Sequence, residues 1–155
     1  MAAPFQLSMR VDIGRPPEAV WPFLVDWERL PRWMEEMRDV RVTSARREGV
    51  GVEAEATVRI AGITTRDRIR VTRWEPPRVL ELAHRGWVKG TGQMALSPAG
   101  SGSLLRWREI LVPPWGILGR IGMRAVLPLM GRVFRRDLQL LKRLAEDRGE
   151  DGAGR

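Results

Sequence analysis

The sequence predicts an α+β fold in which a curved antiparallel sheet of seven strands wraps around one long C-terminal helix. Three observations carry this reading. Apolar and polar residues alternate with period two through most of residues 5–111. Gly- or Pro-containing turns interrupt that alternation every ten to fifteen residues or so, and beyond residue 115 the apolar spacing changes to three and four. At 155 residues the chain has the size of one domain, expected over 1–148, followed by a charged, glycine-rich tail at 149–155.

The elements follow in order. Phe5, Leu7, Met9, Val11 and Ile13 alternate with polar neighbours, which predicts a first strand with one buried face. Arg15-Pro16-Pro17-Glu18 puts prolines at a helix start and a carboxylate near its positive end, so a short helix is expected through about Val25. Asp26 is a suitable N-cap for a second short helical segment ending near Met37. Val40 and Val42 open the meander. Past Gly49-Val50-Gly51, Val52, Ala54, Ala56, Val58 and Ile60 share one face. A turn at Gly62-Ile63 places Glu55 opposite Arg70 and turns Asp67, Ile69, Val71 and Arg73 inward. Trp74-Glu75-Pro76-Pro77 makes the next turn. Leu80, Leu82 and His84 then share a face, as do Val88, Gly90, Gly92, Met94 and Leu96. Residues 97–103 read as a flexible connection to a last strand presenting Leu105, Trp107, Glu109 and Leu111. From Trp115 to Asp147, the stripe Val126, Met130, Phe134, Leu138, Leu141 and Ala145 predicts one helix, kinked or broken at Pro128.

Composition excludes several functions. The absence of cysteine removes disulfides, thiolate metal sites and cysteine nucleophiles, and suits a reducing compartment, so the cytoplasm is expected. With a single histidine, and with no HExxH, DxD-type or GxSxG spacing, neither a histidine-rich metal centre nor a serine-hydrolase elbow can be built; no cofactor is expected. The N-terminus alternates where a secretory signal would be apolar, and no apolar run reaches the roughly 20 residues of a membrane span. A net charge of +8 invites a nucleic-acid partner, yet the basic residues are spread along the chain among 19 acidic ones, and no recognition motif accompanies them.

The order of elements resembles the helix-grip superfamily of START domains, birch-pollen-allergen-like proteins and bacterial polyketide cyclase/dehydrases, together called SRPBCC. The resemblance spans about residues 5–147. It rests on RPPEAVWPFLVDWERLPRW, on Gly49-Val50-Gly51, on WEPPRVLEL, on LSPAGSGSLLRWRE and on LQLLKRLAED, taken in order. It implies a cavity between sheet and helix that takes a small hydrophobic ligand such as a lipid, quinone or polyketide-like metabolite. Polyketide aromatase/cyclases of this group use pocket tyrosine and arginine, whereas this chain has no tyrosine, and Arg73 alone could supply the arginine.

The expected binding residues are Trp33, Met37, Ala54, Ala56, Val58, Ile69, Val71, Leu82, His84, Met94, Trp107, Glu109, Met130 and Phe134, with Ala54, Ala56, Gly90 and Gly92 leaving volume unfilled. Four polar residues are expected to point inward: Asp67, Arg73, His84 and Glu109. Burial demands partners for them, so they pair with one another, orient a polar ligand head, or move a proton with His84 titrating near neutrality. Three functions remain: a carrier or sequestering module, a cofactor-free cyclase, aromatase or dehydratase, and a peripheral membrane protein. The last would use Pro113, Pro114, Trp115, Gly116, Ile117 and Leu118 as an apolar tip with Arg120 and Arg124 at its rim. That segment otherwise caps the cavity entrance.

Overall fold

A computed structural model describes residues 3–150, with side chains through 147, so the tail expected at 149–155 lies outside the described side chains. Strand β1 (Phe5–Ile13) leads into α1 (Pro17–Val25) and a 3-10 helix (Trp27–Arg32). Strands β2 (Met37–Val42), β3 (Glu53–Ile60), β4 (Ile63–Glu75), β5 (Val79–Arg85), β6 (Lys89–Ala99) and β7 (Gly102–Val112) follow, then α2 (Gly116–Glu150). The sheet order is β1-β7-β6-β5-β4-β3-β2, antiparallel at every junction. Sequence neighbours β1 and β2 therefore form opposite edges, and the helical pair carries the chain from one to the other. The seven strands and the long helix form the helix-grip arrangement.

Pro16 caps α1 with extended backbone and Pro17 starts it, where a missing N–H costs nothing. Asp26 makes no side-chain capping bond; it ends α1 and lies 3.6 Å from Arg29, and the following six residues wind as a 3-10 helix. Met37, expected to close that segment, instead opens β2.

The β3–β4 hairpin turns one residue earlier than expected. Ile60 pairs with Ile63, and the loop is Ala61-Gly62 with φ values of 52° and 78°, as a type I′ turn requires. Glu55 consequently faces Arg68 and Glu53 faces Arg70, the latter pair 3.3 Å apart. Each partner moves by two positions, so the inner face is unchanged as far as Val71. A bulge between Val71 and Arg73 then reverses the pleat. It turns Arg73 outward to an ion pair with Glu75 at 2.7 Å and turns Trp74 toward Trp21, edge to face at 5.4 Å. The expectation of an inward Arg73 is thereby corrected.

Strands β6 and β7 run to Ala99 and Gly102, so a two-residue turn replaces the flexible 97–103 connection. Helix α2 runs unbroken through Pro128, which sits on the exposed side, so the expected break is absent. Its stripe Met130, Phe134, Leu138, Leu141 and Ala145 is buried against the sheet. Trp107 stacks on Phe134 at 4.7 Å and meets Trp33 edge-on at 6.2 Å, tying β7, α2 and the helical pair into one core.

Ala61 occupies a left-handed conformation that costs a non-glycine residue about 1 kcal/mol. Ala61→Asn, which tolerates that conformation, should raise the urea midpoint by an amount worth about 0.5 kcal/mol or more. An unchanged or lower midpoint would place the turn elsewhere.

Candidate functional site

Between the sheet and the N-terminal half of α2 lies a cavity of about 520 Å³. Its wall is mostly apolar: Met37, Val58, Trp107, Met123, Met130 and Phe134 are among the lining side chains. Its mouth is rimmed by large residues left exposed, Ile63, Trp87, Trp115 and Leu118, where Trp87 and Trp115 meet edge to face at 4.9 Å. The positive φ values of Trp115 (61°) and Gly116 (53°) form the corner from β7 into α2. Pro113 and Pro114 line the same entrance.

The polar floor is built across four strands. His84 on β5 and Glu109 on β7 are separated by β6, which has Gly90 and Gly92 at the intervening positions. With no side chain in the way, His84 Nε2 reaches Glu109 Oε2 at 3.1 Å. A Cβ on Gly92 would lie 2.5 Å from Glu109 Oε1. The glycine therefore accommodates a carboxylate and borders only a void of about 30 Å³, not the main cavity. A Cβ on Gly90 would lie only 1.8 Å from the Ile110 carbonyl oxygen, so this glycine permits close backbone approach. On the other side, His84 Nδ1 lies 2.6 Å from Asp67 Oδ2 on β4, and the Gly86 N–H donates to Asp67 Oδ1 at 3.1 Å. Trp107 Nε1–H donates to Glu109 Oε1 at 2.6 Å.

Both ring nitrogens of His84 thus face carboxylate acceptors, which only the imidazolium can satisfy. Burial favours the neutral ring, but the hydrogen bonds and charges of Asp67 and Glu109 overcome it and lift the pKa to about 10. The expected titration near neutrality is corrected accordingly. The side chains of Asp67, His84 and Glu109 are only 18%, 16% and 8% exposed.

A second ionisable pair escapes sequence reasoning. Glu36, just before β2, and Asp137, on α2, are 5% and 0% exposed. The two carboxyls lie against each other, and the rest of the protein gives no donor to Glu36 Oε2 or Asp137 Oδ2. Burial, then Asp137, push Glu36 up to about 9; burial likewise raises Asp137. Asp137 Oδ1 also accepts the Glu35 N–H at 3.0 Å, fastening this loop to α2. Asp137 is visible in the sequence as a carboxylate inside the apolar stripe between Phe134 and Leu141, whereas Glu36 lies in a segment without periodicity.

Of the expected binding residues, Met37, Val58, His84, Trp107, Glu109, Met130 and Phe134 come together on the wall, and Asp67 and Glu36 join them. Ile69, Leu82 and Met94 lie beneath, around a void of about 30 Å³ adjoining His84 and Glu109. Trp33, Ala54, Ala56 and Val71 are buried in the core away from the cavity wall. Among the described residues no group of three or more His, Asp or Glu side chains is arranged to hold a metal ion.

The profile of the family described as polyketide cyclase / dehydrase and lipid transport matches residues 4–146. Three solved structures share the fold. TTHA0849 from Thermus thermophilus is 18% identical with a TM-score of 0.79, over 92% of this chain and 98% of the other. The Zhui aromatase/cyclase from Streptomyces sp. R1128 is 18% identical with a TM-score of 0.78, over 94% and 95%. A START superfamily protein from Mycobacterium smegmatis is 16% identical with a TM-score of 0.75, over 92% and 97%. No curated protein sequence matches the chain at a significant level.

Two expectations follow from the floor. Folded Glu36 and His84 keep protons to about pH 9 and 10, whereas their unfolded counterparts release them near 4.5 and 6.5. The Glu36 contribution is complete below its unfolded value and the His84 contribution below its own; each is lost as pH rises through the folded value, at about 1.4 kcal/mol per pH unit per proton. Urea midpoints should fall steadily from pH 6.5 to 9, with a shallower slope in Glu36→Gln; a flat profile would contradict the retained protons. Gly92→Ala should destabilise by about 1–3 kcal/mol through displacement of the Glu109 carboxylate from its donors, as read by thermal melting.

Proposed function

The chain belongs to the polyketide cyclase / dehydrase and lipid transport family, and on that premise we propose that it holds one small hydrophobic ligand between sheet and α2, as a carrier or sequestering module. The observation that carries this reading is the cavity of about 520 Å³, walled by apolar side chains and opening between exposed aromatic residues. Its volume falls in the range of small-molecule sites, roughly 300–1,000 Å³. An apolar wall with few polar groups gives affinity by burial and orientation by the floor. The exposed Trp87 and Trp115 fit a mouth that must wet and dry as the ligand passes.

One observation favours a second reading, a cyclase or aromatase acting on the bound molecule. His84 with Asp67 and Glu109, and Glu36 backed by Asp137, bring protons to the wall of the same cavity. Groups that hold protons beside an apolar substrate are what proton exchange requires. Loss of conversion with retained affinity in Glu109→Gln would separate catalysis from carriage.

The carrier reading is tested by native mass spectrometry of the purified protein, with extraction of the co-purifying molecule, and by uptake of the neutral fluorophore N-phenyl-1-naphthylamine. Gly122 lines the cavity, and a Cβ there meets nothing within 4 Å. Gly122→Trp should therefore plug the mouth, reducing uptake about tenfold or more, while the melting temperature holds or rises. Uptake unchanged by this plug, or no uptake by the unmodified protein, would refute ligand binding at this cavity.

A further inference from the structure

The outside and the inside of this protein carry opposite charge. The net +8 of the sequence alone suggests attraction for anions. The arginines responsible stand outside, however, with Arg70 on Glu53, Arg73 on Glu75 and Arg136 on Glu35. The floor of the cavity holds three carboxyls, Glu36, Asp67 and Glu109, around one buried cation, His84, and a fourth, Asp137, is buried beside Glu36. Carboxyls thus outnumber the one cation at the floor by three to one. Arg66, the other basic residue of the wall, is exposed.

The hydrogen-bond inventory points the same way. Both N–H groups of His84 are engaged by carboxylates, the Trp107 N–H by Glu109 and the Gly86 N–H by Asp67. The side-chain donors left over on the wall belong to Thr65, half-buried, and to Arg66, Trp87 and Trp115, which are exposed. Acceptors are in surplus: each carboxylate oxygen has two lone-pair sites, and each oxygen of Asp67 and Glu109 receives a single donor from the protein. A ligand head with hydrogens to give finds partners here. An anionic head at the floor would lose its hydration and meet like charge with no donor to replace water.

We infer that the cavity selects apolar ligands whose polar end is neutral or cationic and donates hydrogen bonds, an alcohol, phenol or amine, and that it rejects carboxylate and phosphate heads on the same apolar body. This inference rests on the ligand-binding reading above and narrows it. It separates free fatty acids and other lipid anions from the ligands of this protein, despite the basic exterior.

The test is competition against bound N-phenyl-1-naphthylamine near neutral pH by decanol, decylamine and decanoate, three heads on one chain. Decanol and decylamine should displace the fluorophore, and decanoate should be weaker by about tenfold or more, equivalent to about 1.4 kcal/mol. In the double variant Glu36→Gln/Asp137→Asn, which removes both acidic groups of that pair, the handicap of decanoate should shrink. Should that variant not fold, the series on the unmodified protein still decides. Decanoate competing as well as decanol would overturn the selectivity while leaving the cavity a ligand site. Failure of the fluorophore to bind at all would remove the ligand-binding reading itself, and the selectivity with it.

Discussion

The His84 imidazolium is held between Asp67 on β4 and Glu109 on β7, and it can span that distance because β6 presents Gly90 and Gly92 where side chains would otherwise stand. Much of the cavity depends on this bridge. It supplies two charges with partners that they could not find in apolar surroundings. It also holds the Glu109 carboxylate so that the Trp107 indole N–H can be satisfied and the ring can lie flat on Phe134. Remove the charge from His84 and two buried carboxylates lose their shared cation, at a cost of several kcal/mol for each uncompensated ion.

Curvature explains why such a site is needed at all. A sheet wrapped around one helix has a concave face wider than α2 can fill, and α2 covers it unequally. Toward its C-terminal half, Leu138, Leu141 and Ala145 are fully enclosed, and the tryptophans of the helical pair complete the packing. Toward its N-terminal half, Met123, Val126 and Met130 look across open space to Val58 and Met37. The Glu36 and Asp137 pair sits at the boundary between the two regimes. The Glu35 N–H, donated to Asp137, ties the chain before β2 to the helix where solid core gives way to cavity.

Much of this was legible in the sequence, and the misses have physical causes. Element order and the inner faces of the strands follow from period-two alternation and glycine or proline turns, because burial on one side is what that pattern encodes. The β3–β4 register slipped because Ala61, not a glycine alone, takes a left-handed conformation, which nothing local announces. The inner face survived since the partners moved by an even number of positions. Arg73 was misplaced because a bulge changes parity without changing composition. The roles of Ala56 and Gly92 were misread for a different reason: small residues signal room, but only three dimensions reveal what occupies it. At Gly92 the occupant is a carboxylate. Charges on a buried stripe are the better signal, as Asp137 shows.

The floor and the mouth of the cavity differ in what holds them, and this difference bears on how any ligand passes. Floor residues lie mid-strand, in paired ladders, and their side chains are locked by charge-assisted hydrogen bonds of 2.6 to 3.1 Å. Rim residues Trp87, Trp115 and Leu118 lie at a strand turn and at the first turn of a helix, and exposed apolar contact is what joins them. An edge-to-face aromatic pair is worth about 1 kcal/mol, far less than a network of buried charges. Parting Trp87 from Trp115 therefore costs far less than disturbing the floor. A fixed floor and a loosely joined rim are thus separate parts of one cavity.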